Sequence, residues 1–241
     1  MQNDVNIIEI APKNQDIDEI LIWLKSERDS NVAGFYHNRN VIYESFESGN
    51  AIVFKHEEKN IGMVIWHEDE IRVDIDIFVI HPYYQGQGYG RLFYKAISEY
   101  FSTKGFKAVK LFCEPRSSER FWRKMGLSKF PDCGLTEHEL TYYGILVDTA
   151  SKTYIKNADK IELWDVEPYE AEGKEPKWTW YIETQNEVLL YPIIQPCNCN
   201  WNLRWSRNGQ VITEEKVKYF TDEDYEVYCS RFLYIDKLEE L

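Results

Sequence analysis

The stretch Asp76-Ile-Phe-Val-Ile-His-Pro-Tyr-Tyr-Gln-Gly-Gln-Gly-Tyr-Gly-Arg-Leu-Phe93 decides the reading of this chain. Ile75, Ile77 and Val79 alternate with Asp74, Asp76 and Phe78, and Ile80 continues the run, which is the pattern of a buried or half-buried strand. Pro82 stops it. Glycines at 86, 88 and 90 follow on alternate positions, and then Leu92, Phe93, Ala96, Ile97 and Tyr100 recur at helical spacing. The first turn of a helix carries backbone N–H groups without an internal partner and the positive end of the helix dipole. Glycines let that backbone approach an anion closely, so strand, glycine turn and helix outline a phosphate site.

Two familiar phosphate loops are excluded. A dinucleotide fingerprint needs a glycine where Arg91 stands, and a P-loop needs Gly-Lys-Ser/Thr, which is absent. The pattern that remains, Gln/Arg-x-x-Gly-x-Gly/Ala over Gln85, Gly88 and Gly90, resembles the pyrophosphate loop of the GNAT family of N-acetyltransferases. That resemblance implies that Gln85, Gly86, Gln87, Gly88, Tyr89, Gly90 and Arg91 hold the pyrophosphate of acetyl-CoA. It also implies a mixed α/β sheet in which two parallel strands splay apart to admit the pantetheine arm, against backbone groups of about Phe78, Val79 and Ile80.

Upstream, Val5–Ile10 reads as a strand. Asp16 or Asp18 would cap a helix running to Arg28, with Ile17, Ile20, Leu21 and Leu24 buried. A loop over Ser30–Asn40 leads into a short helix near Val41–Ser48. In the family this region lines the acceptor pocket, which makes Phe35, Tyr36 and His37 substrate-contact candidates, with plain packing an equal alternative. Ala51–Lys55 and Ile61–Trp66 form a hairpin about the charged turn His56–Asn60, and a second turn at His67–Glu70 feeds the strand of the opening stretch.

Downstream, Gly105 ends the helix and Lys107–Cys113 is the next strand, parallel to its predecessor as a right-handed crossover requires. Ser117 or Ser118 would cap a short helix whose Phe121-Trp-Arg-Lys-Met-Gly-Leu127 is similar to the family's Phe-Tyr-Glu-Lys-Leu-Gly-Phe signature. Ser117 and Trp122 thereby join the expected cofactor contacts. Two departures stand out: the tyrosine that many members use as general acid is Trp122, and the asparagine often found seven residues earlier is Pro115. An indole N–H donates a hydrogen bond but does not release its proton. Protonation of the departing sulfur then falls to water or to Tyr142 or Tyr143, of which Tyr143 is the candidate carried forward.

His138–Val147 closes the sheet, giving a domain over residues 1–148. Residues 149–241 read as a β-rich appendage of unrecognised type, with short strands at 161–166, 178–182, 188–191, 201–205 and 211–213, and a helical or irregular tail after Thr221. It holds five of the eight tryptophans, and these are read as the core of a small domain ahead of a sugar or peptide platform.

Composition narrows the function. A net charge of −13 opposes nucleic-acid binding, which depends on Lys and Arg neutralising phosphates, and suits a cationic amine, although solubility alone also explains it. No apolar run reaches the roughly 18 residues of a membrane span. Five cysteines without a repeated spacing favour free thiols in a reducing, cytoplasmic setting, and no metal site is expected. A homodimer is compatible with all of this. The resemblance to the GNAT family implies direct acetyl transfer from acetyl-CoA to a primary amine, small-molecule or peptide, with no covalent enzyme intermediate. Asp74, at the position where histone-acetylating relatives carry a glutamate base, and Asp76 on the same strand face are the candidate bases, against solvated positions as the plain alternative. A non-catalytic acyl-CoA sensor is the second reading. A nucleotide-using kinase or ligase is disfavoured, because no metal-binding carboxylate cluster or phosphate-reaching lysine accompanies the loop.

Overall fold

The computed structural model describes residues 6–29, 34–134, 138–220, 227–229 and 231–238. The readings at Val5, at Ser30 to Ala33 and at 221–226 lie outside the described residues. The chain divides into two compact units, one of residues 1–129 and 140–146 and the other of residues 130–139 and 147–241. No described helix is long and apolar enough to cross a membrane.

The first unit is built on a seven-stranded sheet in the order β1-β2-β3-β4-β5-β7-β6. Its strands are β1 (Asn6–Glu9), β2 (Ala51–His56), β3 (Lys59–Asp69), β4 (Arg72–Ile80), β5 (Ala108–Phe112), β6 (Ser128–Lys129) and β7 (Thr141–Ile145). All neighbours are antiparallel except β4 and β5, which run parallel, as expected of strands joined through a helix. Four helices complete it: α1 (Asn14–Asp29), α2 (Arg39–Glu47), α3 (Tyr89–Thr103) and α4 (Glu119–Lys124). Helix α1 begins two residues earlier than Asp16. That aspartate sits inside the first turn and accepts a hydrogen bond from the Lys13 amide at 2.8 Å, so it closes the helix start from within.

Two cores sandwich the sheet. On one face Phe93, Ile97 and Phe101 of α3 are fully buried against Phe54, Trp66, Val73 and Val109. On the other, Ile17, Ile20 and Leu24 of α1 and Ile42 of α2 cover Val53, Met63, Ile65 and Ile77. Burying each such side chain contributes about 1.5–3 kcal/mol over leaving it exposed. The first hairpin turns on Glu57 and Glu58 alone, both at positive φ (48° and 63°), rather than on the five-residue turn read from composition. The turn expected at 67–70 is also shorter: β3 runs on to Asp69, so His67 lies on a strand opposite Asp74 and only Glu70 and Ile71 turn.

The second unit contains two four-stranded sheets. One has the order β13-β12-β8-β9, from β8 (Asp159–Leu163), β9 (Trp178–Ile182), β12 (Asn202–Arg207) and β13 (Gln210–Lys216). The other has the order β10-β11-β15-β14, from β10 (Thr184–Gln185), β11 (Val188–Pro196), β14 (Val227–Cys229) and β15 (Phe232–Lys237). A one-turn helix, α5 (Pro168–Ala171), precedes β9. The tail expected to be helical or irregular therefore supplies two strands, and Phe232, Leu233 and Ile235 of β15 are core residues. Trp164, Trp180, Trp201 and Trp205 are buried, which makes them core rather than platform.

Candidate functional site

A β-bulge organises the site. Ile65 pairs with Ile77 and its neighbour Trp66 pairs with Ile75, so Asp76 is one residue more on β4 than β3 provides. The extra residue reverses which side chains face which core. Before it, Val73 and Ile75 face α3; after it, Phe78 and Ile80 do, while Ile77 and Val79 turn to α1 and α2. The single alternation read across Ile75, Ile77 and Val79 is thus broken in the middle. Pairing between β4 and β5 also ends here, at Ile75 with Leu111, and Asp76–Ile80 leave β5 behind.

The main-chain groups that face the resulting opening follow from the register. The His81 amide donates to the Ile61 carbonyl at 2.8 Å, which makes 81 with 61, and by alternation 79 with 63, the hydrogen-bonded pairs of the β3–β4 ladder. The groups of Phe78 and Ile80 then point away from β3. Of the three residues read as cofactor contacts, Val79 has its own groups turned into the sheet. The Ile80 carbonyl accepts from the Gln85 side chain at 2.8 Å, tying the loop to the strand. Behind the opening Phe78 stacks on Phe93 (5.2 Å) and Phe121 (5.9 Å) and meets Trp122 edge-on at 5.1 Å, a floor of aromatic rings. Trp122 is buried in that floor, packed also against Tyr94.

After β4, a short 3₁₀ turn (Pro82–Tyr84) leads to the exposed loop Gln85–Gly88, and Gly88 occupies the N-cap position of α3. Gly88 has φ +95°, a left-handed conformation that side chains with a Cβ rarely adopt, and open space where a Cβ would stand. Gly90 serves packing instead: a Cβ there would meet the Phe121 ring at 3.3 Å. The amides of Gly86, Gln87, Gly88 and Gly90 donate to no acceptor among the described residues. The Gln87 side chain is held back on the Tyr83 carbonyl at 2.6 Å, clear of them. Tyr89 bonds through its hydroxyl to His56 at 3.0 Å, anchoring the start of the helix to β2. Arg91 is exposed, and with Lys95, Glu99 and Lys124 it lines a cavity of about 580 Å³ along the α3 flank. Ser117 is exposed in the turn before α4, and Ser118 takes the N-cap position without a side-chain cap bond.

The face of the sheet that α1 and α2 cover in part also carries a polar row. His67 pairs with Asp74, Asp74 with Lys110, and Lys110 with Tyr143, so these four residues stand side by side across β3, β4, β5 and β7. Asp74 accepts from the Arg72 guanidinium at 2.8 Å and lies 3.8 Å from the Lys110 ammonium. Asp76 lies 3.0 Å from Nδ1 of His67. The sheet therefore brings Asp74, Asp76 and Tyr143 to one face, next to the opening, and adds His67 and Lys110. Tyr142 points the other way and donates its hydroxyl to Glu119, a hydrogen bond that raises the phenol's pKa. Phe35, Tyr36 and His37 form a 3₁₀ turn after α1. Phe35 and Tyr36 pack on the α1–α2 core, Tyr36 lies under Arg28 at 4.6 Å, and His37 is exposed.

Residues 15–127 match the family model described as the acetyltransferase (GNAT) family. No curated protein matches the chain. Among solved structures, the chain is similar to an acetyltransferase of the GNAT family from Staphylococcus aureus Mu50, at 11% identity over 59% of this chain and 100% of that one, with a TM-score of 0.48. It is also similar to the Escherichia coli GNAT family N-acetyltransferase YhbS in complex with CoA, at 17% identity over 61% and 84% of the two chains and a TM-score of 0.47. A third is N-acetylglutamate synthase from Neisseria gonorrhoeae complexed with coenzyme A and N-acetyl-glutamate, at 12% identity over 61% of this chain and 36% of that one, TM-score 0.48.

Proposed function

Since the N-terminal part of the chain, through residues 15–127, is a GNAT acetyltransferase domain, we propose that this protein moves the acetyl group of acetyl-CoA directly to a primary amine. The observation that carries the reading is the turn entering α3, where the amides of Gly86, Gln87 and Gly88 are bare while the strand before it has parted from its parallel neighbour. In this reading the amides of Gly86, Gln87, Gly88 and Gly90 take the diphosphate, with Gln85 bracing the loop, Tyr89 fixing its end and Arg91 adding charge. The main chain of Phe78 and Ile80, beside Val79, receives the pantetheine arm, and an amide in that run stabilises the oxyanion. Ser117 and Trp122 bound the thiol end of the cofactor.

Chemistry belongs to the polar row. The Asp74 carboxylate draws the ammonium form of the acceptor, Asp76 takes part in removing its proton, and Tyr143 supplies a proton toward the departing sulfur. Phe35, Tyr36 and His37 contact the acceptor. Attack is direct, because Cys113 at the end of β5 is buried and its thiol is pushed up to about 11, chiefly by that burial, so it stays protonated and unreactive. The cytoplasm suits a chain whose Cys113 and Cys199 stand outside any disulfide.

One observation favours a second reading, an acyl-CoA-binding module without turnover: the residue at the family's usual acid position is an indole sealed into an aromatic floor. Calorimetric titration of acetyl-CoA together with thiol release over a panel of amines separates the two. Binding with turnover on an amine supports the transferase. Binding without turnover supports the module, and absence of binding contradicts both.

A further inference from the structure

The polar row contains a group that neither the loop nor the carboxylates account for. We infer that His67 is the base that deprotonates the acceptor amine, and that Asp76 holds its ring in place; the inference rests on the transfer reading above. Nδ1 of His67 lies 3.0 and 3.1 Å from the two carboxylate oxygens of Asp76, which assigns the ring proton to Nδ1 and the lone pair to Nε2. Nε2 lies 3.8 Å from Asp74, beyond hydrogen-bond reach, so it remains open to an incoming donor. The side chain is 57% exposed.

The charged groups around the ring divide the labour. Facing it are Asp74 and Asp76 from β4, with Arg72 and Lys110 next to Asp74, and Asp69 farther along its own strand beside Arg72. Asp74 is therefore already neighboured by two cations, one of them in a 2.8 Å hydrogen bond, and is poorly placed to take a further proton. Asp76 has no Lys or Arg within ion-pair reach among the described residues, only the His67 ring. Imidazole oriented by a carboxylate, one nitrogen anchored and the other free, is a recurrent general-base arrangement. The bulge makes it possible here, because Asp76 is both the partner of His67 and the first residue of β4 beyond the end of pairing with β5.

The step balances as follows. Nε2 takes one proton from the ammonium, leaving a neutral amine whose lone pair forms the N–C bond at the thioester carbonyl. Collapse breaks the C–S bond, Tyr143 gives its proton to the departing sulfur and takes the nitrogen's second proton in return, and His67 returns its own proton to solvent. Each turnover yields an amide, a thiol and one released proton.

The test uses the full-length protein with acetyl-CoA and four probe amines: spermidine, tyramine, L-lysine and glycinamide. His67→Ala is expected to bind acetyl-CoA like the parent by calorimetry, to lose about 10²-fold or more in kcat, and to lose the acid limb of the pH–rate profile. Added imidazole should restore part of the rate. Asp76→Asn should lower kcat with KM for the amine unchanged, and Asp76→Glu should recover part of it, as a positioning residue requires. Parent-like kcat and pH profile in His67→Ala overturn the inference, as does a parent protein that binds acetyl-CoA yet acetylates none of the four amines. Failure of the parent to bind acetyl-CoA overturns the transfer reading itself.

Discussion

Replacing Gly88 by valine separates what this glycine does for the fold from what it does for a ligand. At φ +95° the residue sits where a β-branched side chain is an outlier, at a cost of roughly 1–3 kcal/mol. No atom lies within 4 Å of the added Cβ, so that strain is the main penalty, and a domain stable by about 5–15 kcal/mol stays folded. The strain is relieved only by rotating residue 88 to negative φ, which moves the amides at the start of α3 from their present positions. Hydrogen bonds to a charged group contribute about 1.5–3 kcal/mol each. Losing two costs about 3–6 kcal/mol, or roughly 10²- to 10⁴-fold in affinity. Gly49→Val is the matched control, with φ +78°, no atom within 4 Å of its Cβ, and a place at the end of α2 away from the loop. Both variants should lose similar thermal stability, and only Gly88→Val should lose acetyl-CoA affinity by titration calorimetry. Binding by Gly88→Val within about threefold of the parent, at a Tm matching Gly49→Val, would refute the reasoning.

Further outcomes follow from the same structure. Trp122→Ala removes a buried indole packed against Phe78, Phe121 and Tyr94 and should cost about 3–5 kcal/mol in urea unfolding. Burial raises the Glu27 carboxyl above its ordinary 4.5. The destabilisation this causes is absent below the unfolded pKa of about 4.3, where both states hold the proton, and complete once pH exceeds the raised value. Glu27→Gln should therefore raise Tm at about pH 7 and leave it unchanged at about pH 3.5. Cys199 is partly exposed, whereas Cys113 is buried with its thiol pushed up to about 11; peptide mapping after brief iodoacetamide treatment should find Cys199 labelled and Cys113 not.

The glycine turn was legible because its chemistry is local: Pro82, the alternate glycines and the apolar spacing of α3 lie within one short stretch. The buried stripe of α1 was legible for the same reason, and so was the parallel pair, once a helix separated two strand patterns. The bulge at Asp76 was not. It is a mismatch in counting between β3 and β4, visible only when both strands are paired. His67 was hidden behind it, since Glu68, Asp69 and Glu70 have the composition of a turn and only the register shows three of the four residues 67–70 on a strand. The strands of the C-terminal unit could be read from their aromatic and β-branched residues. Its last strand, β15, was lost among acidic neighbours whose composition reads as a tail.

The central claim is that the turn between β4 and α3 presents bare amides to a diphosphate. Its most direct measurement is the amide spectrum of protein carrying isotope-labelled glycine, twelve resonances in all, as coenzyme A is added. The account predicts that the signals of Gly86, Gly88 and Gly90 move downfield together and saturably, while that of Gly49 stays in place. Saturation with those three signals unmoved would contradict it.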